Sequence, residues 1–425
     1  MTRLIKEFSL FVILGFAAVV CARGQQMTVH VDKAGSLATL VSGKDMCTVK
    51  SLTVTGYVNG TDVRFIRNLA GGGVTRDGSY ENRRLERLDL SGARIMAGGD
   101  YYLKDSMRVS ETPPYDYHYF YDRTKNNTVS DRMFYGCTAL RSVRLPESVT
   151  HIGSCVFGLC SVDSVVIPGS VTSVDDRAFT MTKIRYTRLG RSLTYLDIDV
   201  LSPWTEAIDV DEANPSYASA DGVLFDKAMT TLLRYPENRT GTAYIVPSTV
   251  KTIGDEAFYM NQNITKIDLP DGLETIGRWA FHGSTVVSLT LPESLKSIGS
   301  QAFDDNLLWL RSVTCQSATP ADCADDAFPE WYDFMPGEAE WDNAANIILY
   351  VPKGCVDRYK TAHGFDRVKD IREIGSATGI GLVSNGEKPT VTARYATDGT
   401  LLDKPRRGVN IVRMSDGSVK KVTVK

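Results

Sequence analysis

Histidine is the side chain that proteins use most often both as a general base and as a metal ligand, and this chain has five of them. None stands at metal-ligand spacing from another histidine or from a cysteine, so the sequence predicts no structural zinc site. The five are His30, His118, His151, His282 and His363.

Carboxylates at alternate positions are a second candidate for metal binding. A calcium loop that begins at Asp209 needs an oxygen ligand at its fifth position and glycine at its sixth, where this chain has Ala213 and Asn214. We therefore interpret these carboxylates as solvated turn residues. They are Asp197, Asp199, Asp209 and Asp211.

Motifs for nucleophilic catalysis and phosphate binding are missing from the sequence. Gly71-Gly72-Gly73 is followed by Val74-Thr75 without the lysine of a phosphate-binding loop, and neither a GxSxG motif nor a dinucleotide-binding fingerprint occurs. The sequence thus predicts that the protein is not an enzyme, with no catalytic residues, no cofactor and no metal.

An internal repeat organises the middle of the chain. Aromatic residues recur at spacings of 22 or 23 residues, and Leu-Pro and Ile-Gly steps follow the same spacing. The aromatic positions are Phe134, Phe157, Phe179, Phe258, Phe281 and Phe303. His282 follows one of them, but the equivalent positions in other repeats hold Gly158 and Asp304, which weakens a catalytic interpretation of this histidine.

One repeat has the pattern of a short strand and a turn. Leu289 and Leu291 alternate with polar residues, Pro292 ends the strand, and Gly299 permits a tight turn. Such a unit cannot bury its apolar side alone, so successive units must stack, with their strands roughly 4.8 Å apart. The sequence therefore predicts a β-rich solenoid of short parallel strands.

These motifs resemble the BspA-like leucine-rich repeat family of bacterial surface proteins, over residues 129–375. The resemblance rests on the Ala-Phe, Leu-Pro and Ile-Gly repeat, on Gly222-Val223-Leu224-Phe225, and on Leu349 to Gly354 followed by Tyr359-Lys360. It implies adhesion to proteins of host or neighbouring cells. A stretch near 208–236 is interpreted as two strands around a turn inserted in one coil. Arg188 to Gly190 departs from the family pattern, and so do residues 329–345.

The two ends of the chain lie outside the regular repeat. Residues 25–128 are interpreted as an amino-terminal cap with irregular repeats, in which the tyrosine-rich segment from Tyr101 to Asp122 forms a loop. Residues 376–425 alternate in β fashion and form a small carboxy-terminal module. This module resembles the sorting modules of type IX secretion cargo; a simple cap is the alternative.

Export is indicated at the amino terminus. Arg3 and Lys6 precede an apolar run that is too short to span a membrane, and we expect residues 1–24 to be a signal peptide cleaved before Gln25. A lipoprotein acylated at Cys21 is the alternative, which the large residue Val20 disfavours. No transmembrane span is predicted.

Cysteines of an exported chain meet oxidising conditions. Cys315 and Cys323 are the best candidates for a local disulfide. Cys137 and Cys160 occupy equivalent repeat positions, where they either bridge adjacent coils or serve as small buried side chains.

Binding is the function that a solenoid of this kind favours, because it presents an extended sheet face. The net charge of -3 and pI near 6.0 provide no basic excess for nucleic acid. The family resemblance implies extracellular or cell-surface proteins as partners. A self-associating envelope component is one alternative, and a glycan-binding protein that uses Trp331, Tyr332 and Trp341 is another. The predicted binding face consists of Ser142, Arg144, Ser164, Val166, Tyr186, Arg188, Lys266, Asp268, Ser288 and Thr290.

Overall fold

The computed structural model describes residues 25–44, 46–72, 84–108, 117–197, 200–304, 309–328, 347–375, 391–396, 402, 404–414 and 419–424. Two compact units divide the chain, one ending at Ile374 and the other beginning at Gly375. The first is a stack of parallel-stranded coils and the second is a small antiparallel sheet. The predicted leucine-rich repeat solenoid with a carboxy-terminal β module is confirmed.

Most strands of the solenoid are only two to four residues long, because each repeat has only one or two buried residues that alternate with exposed ones. In chain order they are β1 (Gln25–Val31), β2 (Val49–Val58), β3 (Arg87–Asp89), β4 (Ala93–Ile95), β5 (Gly98–Arg108), β6 (Tyr117–Thr124), β7 (Thr128–Val129), β8 (Ser142–Arg144), β9 (His151–Ile152), β10 (Ser164–Val166), β11 (Ser173–Val174), β12 (Tyr186–Leu189), β13 (Tyr195–Leu196), β14 (Ala207–Val210), β15 (Tyr217–Ala220), β16 (Val223–Asp226), β17 (Thr231–Arg234), β18 (Ala243–Ile245), β19 (Thr252–Ile253), β20 (Lys266–Asp268), β21 (Thr275–Ile276), β22 (Ser288–Leu291), β23 (Ser297–Ile298), β24 (Ser312–Cys315), β25 (Asp322–Cys323), β26 (Ile348–Val351), β27 (Asp370–Glu373), β28 (Val391–Ala396), β29 (Gly408–Met414) and β30 (Val419–Val424).

Helices are few and lie near the two ends of the solenoid. They are α1 (Leu37–Leu40), α2 (Gly60–Leu69) and α3 (Val356–Lys360), with 3-10 turns at Met46–Thr48 and Phe365–Arg367. Helix α2 begins at a capping box, because Asn59 and Asp62 each accept a hydrogen bond from the other end of the first turn.

Each coil contributes one strand to each of two faces. The long-strand face consists of the sheets β1-β2-β3-β8-β10, β12-β14 and β18-β20-β22-β24-β26-β27. The short-strand face consists of β7-β9-β11-β13 and of β17-β19-β21-β23-β25. Apart from the antiparallel strands β15 and β16, which extend the second short-strand sheet, neighbouring strands on both faces are parallel. The chain therefore advances by one strand spacing per coil.

A column of stacked phenylalanine rings fills the interior. Phe258, Phe281 and Phe303 follow one another with centroid separations of 5.2 and 5.7 Å and interplanar angles of 9° and 8°. Phe134, Phe157 and Phe179 form an equivalent run at 5.5 and 5.7 Å. All six rings are at most 2% exposed, so each contributes about 1.5–3 kcal/mol by its burial.

The turn that holds each ring requires left-handed backbone. The residue two places before the phenylalanine has φ near +55°, for example Arg132, Cys155 and Trp279. The residue two places after it is also left-handed, and there Gly136 and Gly283 alternate with larger residues such as Met181 at φ 57°. A side chain in this region costs roughly 1–2 kcal/mol, which stacking of the coils must offset.

The ring column is interrupted between the two runs. Leu201 occupies the ring position after Phe179, since the Phe179 N–H donates to Val200 O just as the Phe157 N–H donates to Ala178 O. The buried apolar side chains accordingly fall into two clusters that meet at Val223 and Leu224. Three antiparallel strands, β15, β16 and β17, lie at this junction, whereas the sequence predicted two.

The tyrosine-rich segment is the main correction at the amino terminus. It was expected to be a loop, but β5 and β6 pair there as an antiparallel hairpin. Tyrosine favours strands because its large ring packs well on a pleated surface, and this propensity decides the conformation. The two strands predicted from Leu52 to Thr55 and from Leu85 to Leu90 are present as β2 and β3.

The third coil and the carboxy-terminal region form the strands that their sequences predict. Arg188 lies in β12, so the third coil keeps its strand despite the departure from the family pattern. The carboxy-terminal alternation is present as β28, β29 and β30, which form one antiparallel sheet. Residues 1–24, residues 329–346 and the link at 376–390 lie outside the described residues.

The six cysteines whose side chains the structure describes are free thiols. Cys315 and Cys323, the expected local pair, are both buried and unbridged. Cys137 and Cys160 are also buried and free, and the Cys160 thiol contacts Phe134 O at 2.8 Å. In this structure Cys137 and Cys160 are therefore small buried side chains and not a bridge between coils.

Replacement of Phe281 by alanine is expected to lower the free energy of unfolding by about 3–5 kcal/mol, because it empties one layer of the column. Phe281→Leu should cost less, since leucine already fills the equivalent position at Leu201. Urea denaturation followed by circular dichroism measures both. Val287→Ala, at a side chain 38% exposed, is the control. Similar losses for Phe281→Ala and Val287→Ala would contradict the role of the column.

Met181→Gly is expected to raise the free energy of unfolding by about 0.5–1 kcal/mol, because glycine removes the left-handed penalty at a side chain that is 63% exposed. Met181→Ala keeps a Cβ atom and should be close to neutral. Thermal and urea unfolding of the two variants give the comparison. A Gly variant no more stable than the Ala variant would show that the turn carries no strain.

Cys315 and Cys323 should resist alkylation by iodoacetamide in the native protein near pH 8. Burial raises the pKa of both thiols to about 12, so almost no thiolate is present. Both should react once urea unfolds the chain, as peptide mass spectrometry will record. An intact mass smaller by two hydrogens, with neither cysteine labelled in urea, would instead establish the disulfide.

Candidate protein-binding face

The ten predicted face residues all lie on the long-strand face and are exposed or half-exposed. Six of them form a first patch on β8, β10 and β12, and four form a second patch on β20 and β22. Strands β10 and β12 belong to different sheets but contact each other, whereas β14 and β18 belong to different sheets and separate the two patches. The structure thus brings the predicted residues together in two groups and not in one continuous surface.

The first patch combines exposed apolar groups with arginines. Val166 pairs with Arg144 across β10 and β8 and is 49% exposed. Tyr186 on β12 is 57% exposed, and Arg188 lies two residues along the same strand. Tyrosine and arginine are the types that contribute most to binding when a partner covers them. The order of these side chains follows from the period of two along each strand.

Carboxylates on neighbouring strands hold the two arginines. Arg144 Nη1 lies 3.2 Å from Asp89 Oδ2, and Arg188 Nε lies 3.7 Å from Asp209 Oδ2. Partial desolvation followed by the charge of Asp209 raises the pKa of Tyr186. The pKa of Asp89 is lowered: desolvation opposes this shift, but hydrogen bonds from Ser91 and the Arg144 charge outweigh it. These pairs orient the guanidinium groups while leaving them more than half exposed.

The acidic partners were missed from sequence. Asp89 precedes Arg144 by 55 residues, and the two meet only because β3 and β8 are neighbours in the sheet. The ion pair of Arg185 with Glu206 at the edge of the patch was also missed. Glu206 belongs to the coil with the insertion, where the repeat gives no register, so no sequence signal pointed to it.

The second patch is more polar. Lys266 Nζ lies 3.1 Å from Asp268 Oδ1 on the same strand, and Ser288 and Thr290 continue into the row of Ser312 and Thr314. Ile245, which is 61% exposed, pairs with Asp268 at the edge of this patch. The alternation in β18 places it there, although sequence analysis did not select it.

Within the described residues, one group of side chains with catalytic potential comes together at His151. Its Nδ1 lies 2.7 Å from Ser173 Oγ and its Nε2 lies 3.2 Å from Asp175 Oδ2, the reverse of the ring nitrogens that a hydrolase triad uses for serine and carboxylate. They belong to the flat short-strand face, in the row of Thr128 and Tyr195. A hydrolase also needs oxyanion donors beside a substrate pocket, and the parallel ladder uses the backbone of these strands.

Metal binding has no support in the described part of the chain. None of its groups of histidine, cysteine and carboxylate side chains could hold an ion. Asp211 Oδ1 accepts the Ala213 N–H at 3.0 Å, as expected of a turn residue. Ser284, beside His282, is fully buried. Asp199, Trp331, Tyr332 and Trp341 lie outside the described residues.

The repeat can now be compared with known families. Residues 122–208 and 237–322 match the description BspA type Leucine rich repeat region, in six copies. These two segments are similar to the repeats of that family. The gap between them carries β15, β16 and β17, in the coil that follows the coil of Leu201. No helix in the described ranges has the length and apolarity to cross a membrane.

Three solved bacterial structures are similar to this chain at low sequence identity. A leucine-rich repeat protein of Eubacterium ventriosum has 18% identity and a TM-score of 0.44, covering 73% of this chain and 68% of its own. The pneumococcal vaccine antigen PcpA has 18% identity and a TM-score of 0.42, with coverages of 77% and 79%. A leucine rich cell surface protein of Faecalibacterium prausnitzii has 16% identity and a TM-score of 0.45, with coverages of 82% and 83%. No protein of curated function matches the sequence.

Proposed function

We propose that this protein is exported and binds other proteins at the cell surface through the first patch of the BspA-type repeats. The observation that carries the proposal is the exposed pair Val166 and Tyr186 between two arginines held in place by carboxylates. A partner that covers this patch buries aromatic area at little entropic cost, because the strands are already rigid. The two arginines, each paired with an acidic residue, make an anionic or mixed protein surface the complement of this patch.

Export and attachment are further parts of the proposal. The apolar leader before Gln25 supplies the signal peptide, with acylation at Cys21 as the alternative route to the surface. The antiparallel sheet of β28, β29 and β30 is the unit that would act as a sorting module. Adhesion to host or neighbouring cells is the role that the family resemblance supports.

The test is saturable binding of the full mature chain to immobilised extracellular-matrix proteins and to intact bacterial cells. The double substitution Tyr186→Ala with Arg188→Ala should weaken binding by about 2 kcal/mol, roughly thirtyfold, because it removes the two candidate hot-spot side chains. Surface plasmon resonance and cell binding give the affinities.

The matched control is Ile245→Ala with Lys266→Ala, which removes one exposed apolar and one basic side chain from the second patch. It should leave the affinity unchanged. Equal losses for the two double variants would contradict the assignment to the first patch. Absence of any saturable partner, together with concentration-dependent mass in light scattering, would replace the proposal with a self-associating envelope role.

A further inference from the structure

An open groove of about 590 Å³ lies where the ring column is interrupted. It runs between the turn that follows Leu201 and the turn that follows Phe258. Aromatic, thioether and amide side chains line it: Trp204, Tyr259, Met260, Asn238, Gln262 and Asn263. Its volume falls within the range of about 300–1,000 Å³ that is usual for ligand sites.

The groove exists because one coil departs from the repeat. In regular coils the turns are joined by backbone hydrogen bonds, such as Met260 N–H to His282 O at 2.8 Å. The turns of Leu201 and Tyr235 are joined by a backbone hydrogen bond from Asn238 N–H to Thr205 O. In the regular coils the bonded residues lie one or two places after the ring position, whereas here they lie three and four places after it. The turns are therefore spread apart at their apolar end.

Two aromatic rings line the groove. Trp204 is 54% exposed, and its backbone N–H donates to Ser202 Oγ at 3.2 Å, while that hydroxyl donates to Thr182 O at 2.9 Å, which fixes the turn that carries the indole. On the opposite wall the ring of Tyr259 stacks on His282, with centroids 5.3 Å apart and an angle of 6°. One exposed ring and one stacked ring thus face a single groove.

The amide groups leave acceptors for a ligand. Gln262 Nε2 donates to Gly283 O at 2.7 Å, Asn263 Nδ2 donates to Arg239 O at 3.2 Å, and Asn238 Nδ2 lies 3.5 Å from Glu206 Oε1. Each side-chain amide carries two N–H donors and a carbonyl acceptor, so the three amides together can offer both donors and acceptors to a ligand.

Charge further restricts the ligand. The lining residues include no lysine or arginine, and the one carboxylate among them, Glu237, is bound by Arg234 at 3.0 Å. An anionic ligand would find no cation to pair with, and a cationic ligand would compete with Arg234.

We propose that this groove binds a short neutral oligosaccharide. The C–H faces of sugar rings pack on aromatic rings, whose faces are electron-rich, and sugar hydroxyls donate to amide oxygens. A proline-rich peptide also favours an aromatic groove, but its backbone presents mainly carbonyl acceptors, whereas sugar hydroxyls both donate and accept and so can use both the N–H groups and the carbonyl oxygens of the amides. The groove thus provides a second binding function, separate from the protein-binding patch.

The experiment screens the full mature chain against an array of neutral oligosaccharides, with sialylated and sulfated oligosaccharides and a proline-rich peptide as comparators. The strongest neutral binder is then measured by isothermal titration calorimetry. Trp204→Ala should weaken its binding by at least about tenfold. Trp309→Ala removes a tryptophan that is 47% exposed outside the groove, and it should leave the affinity unchanged.

Gln262→Met provides a second variant, because it keeps the side-chain length and removes the amide oxygen; it should also weaken binding. The Tyr186→Ala and Arg188→Ala double variant should bind the oligosaccharide normally, which separates this inference from the proposed function. Preference for the charged oligosaccharides or for the peptide, no neutral binder, or equal affinities of the Trp204→Ala and Trp309→Ala variants would each overturn the proposal. Circular dichroism establishes that each variant is folded.

Discussion

The column of stacked phenylalanine rings is the constraint on which the rest of this structure depends. Strands of neighbouring coils must lie roughly 4.8 Å apart to form parallel ladders, and the rings adopt centroid separations of 5.1 to 5.7 Å. Each coil must therefore supply one ring at one height. The left-handed turns exist to present that ring inward, and the large side chains at these positions are tolerated because burial of the ring outweighs the backbone cost.

Two buried arginines lie at the starts of the two ring runs. Arg67 Nη1 donates to Arg132 O at 3.2 Å and to Met133 O at 3.0 Å, and Arg234 Nη1 donates to Glu256 O at 2.8 Å. Arg132 and Glu256 are the left-handed residues that open the first coil of each run. A planar guanidinium can donate to several carbonyl oxygens. Each arginine thus satisfies backbone carbonyls of the turn that opens its run, and in the second run Tyr235, the residue after Arg234, stacks on Phe258 with centroids 5.2 Å apart.

The periodic part of the molecule could be predicted from sequence, because a repeat fixes register without knowledge of distant contacts. The spacing of the phenylalanines predicted where the coils lie. The alternation around Leu289 predicted which strand residues are buried and that the ten face residues are exposed or half-exposed. The hairpin of β5 and β6 was missed because it lies outside the repeat. The partners of Arg144 and Arg188 were missed for another reason. A salt bridge between neighbouring coils depends on how their strands are aligned, and the sequence of one strand does not determine that alignment.

The interrupted coil has an energetic consequence. Replacing a ring with Leu201 forfeits ring stacking at one layer, between Phe179 and Tyr235, and the neighbouring turns stay apart there. Small-ligand sites are concave, and the groove lies at this break in the repeat. The strands of the long-strand face offer a broad surface for a protein partner, whereas the groove offers a concave site for a small ligand. The two kinds of binding thus have separate structural origins in one stack of coils.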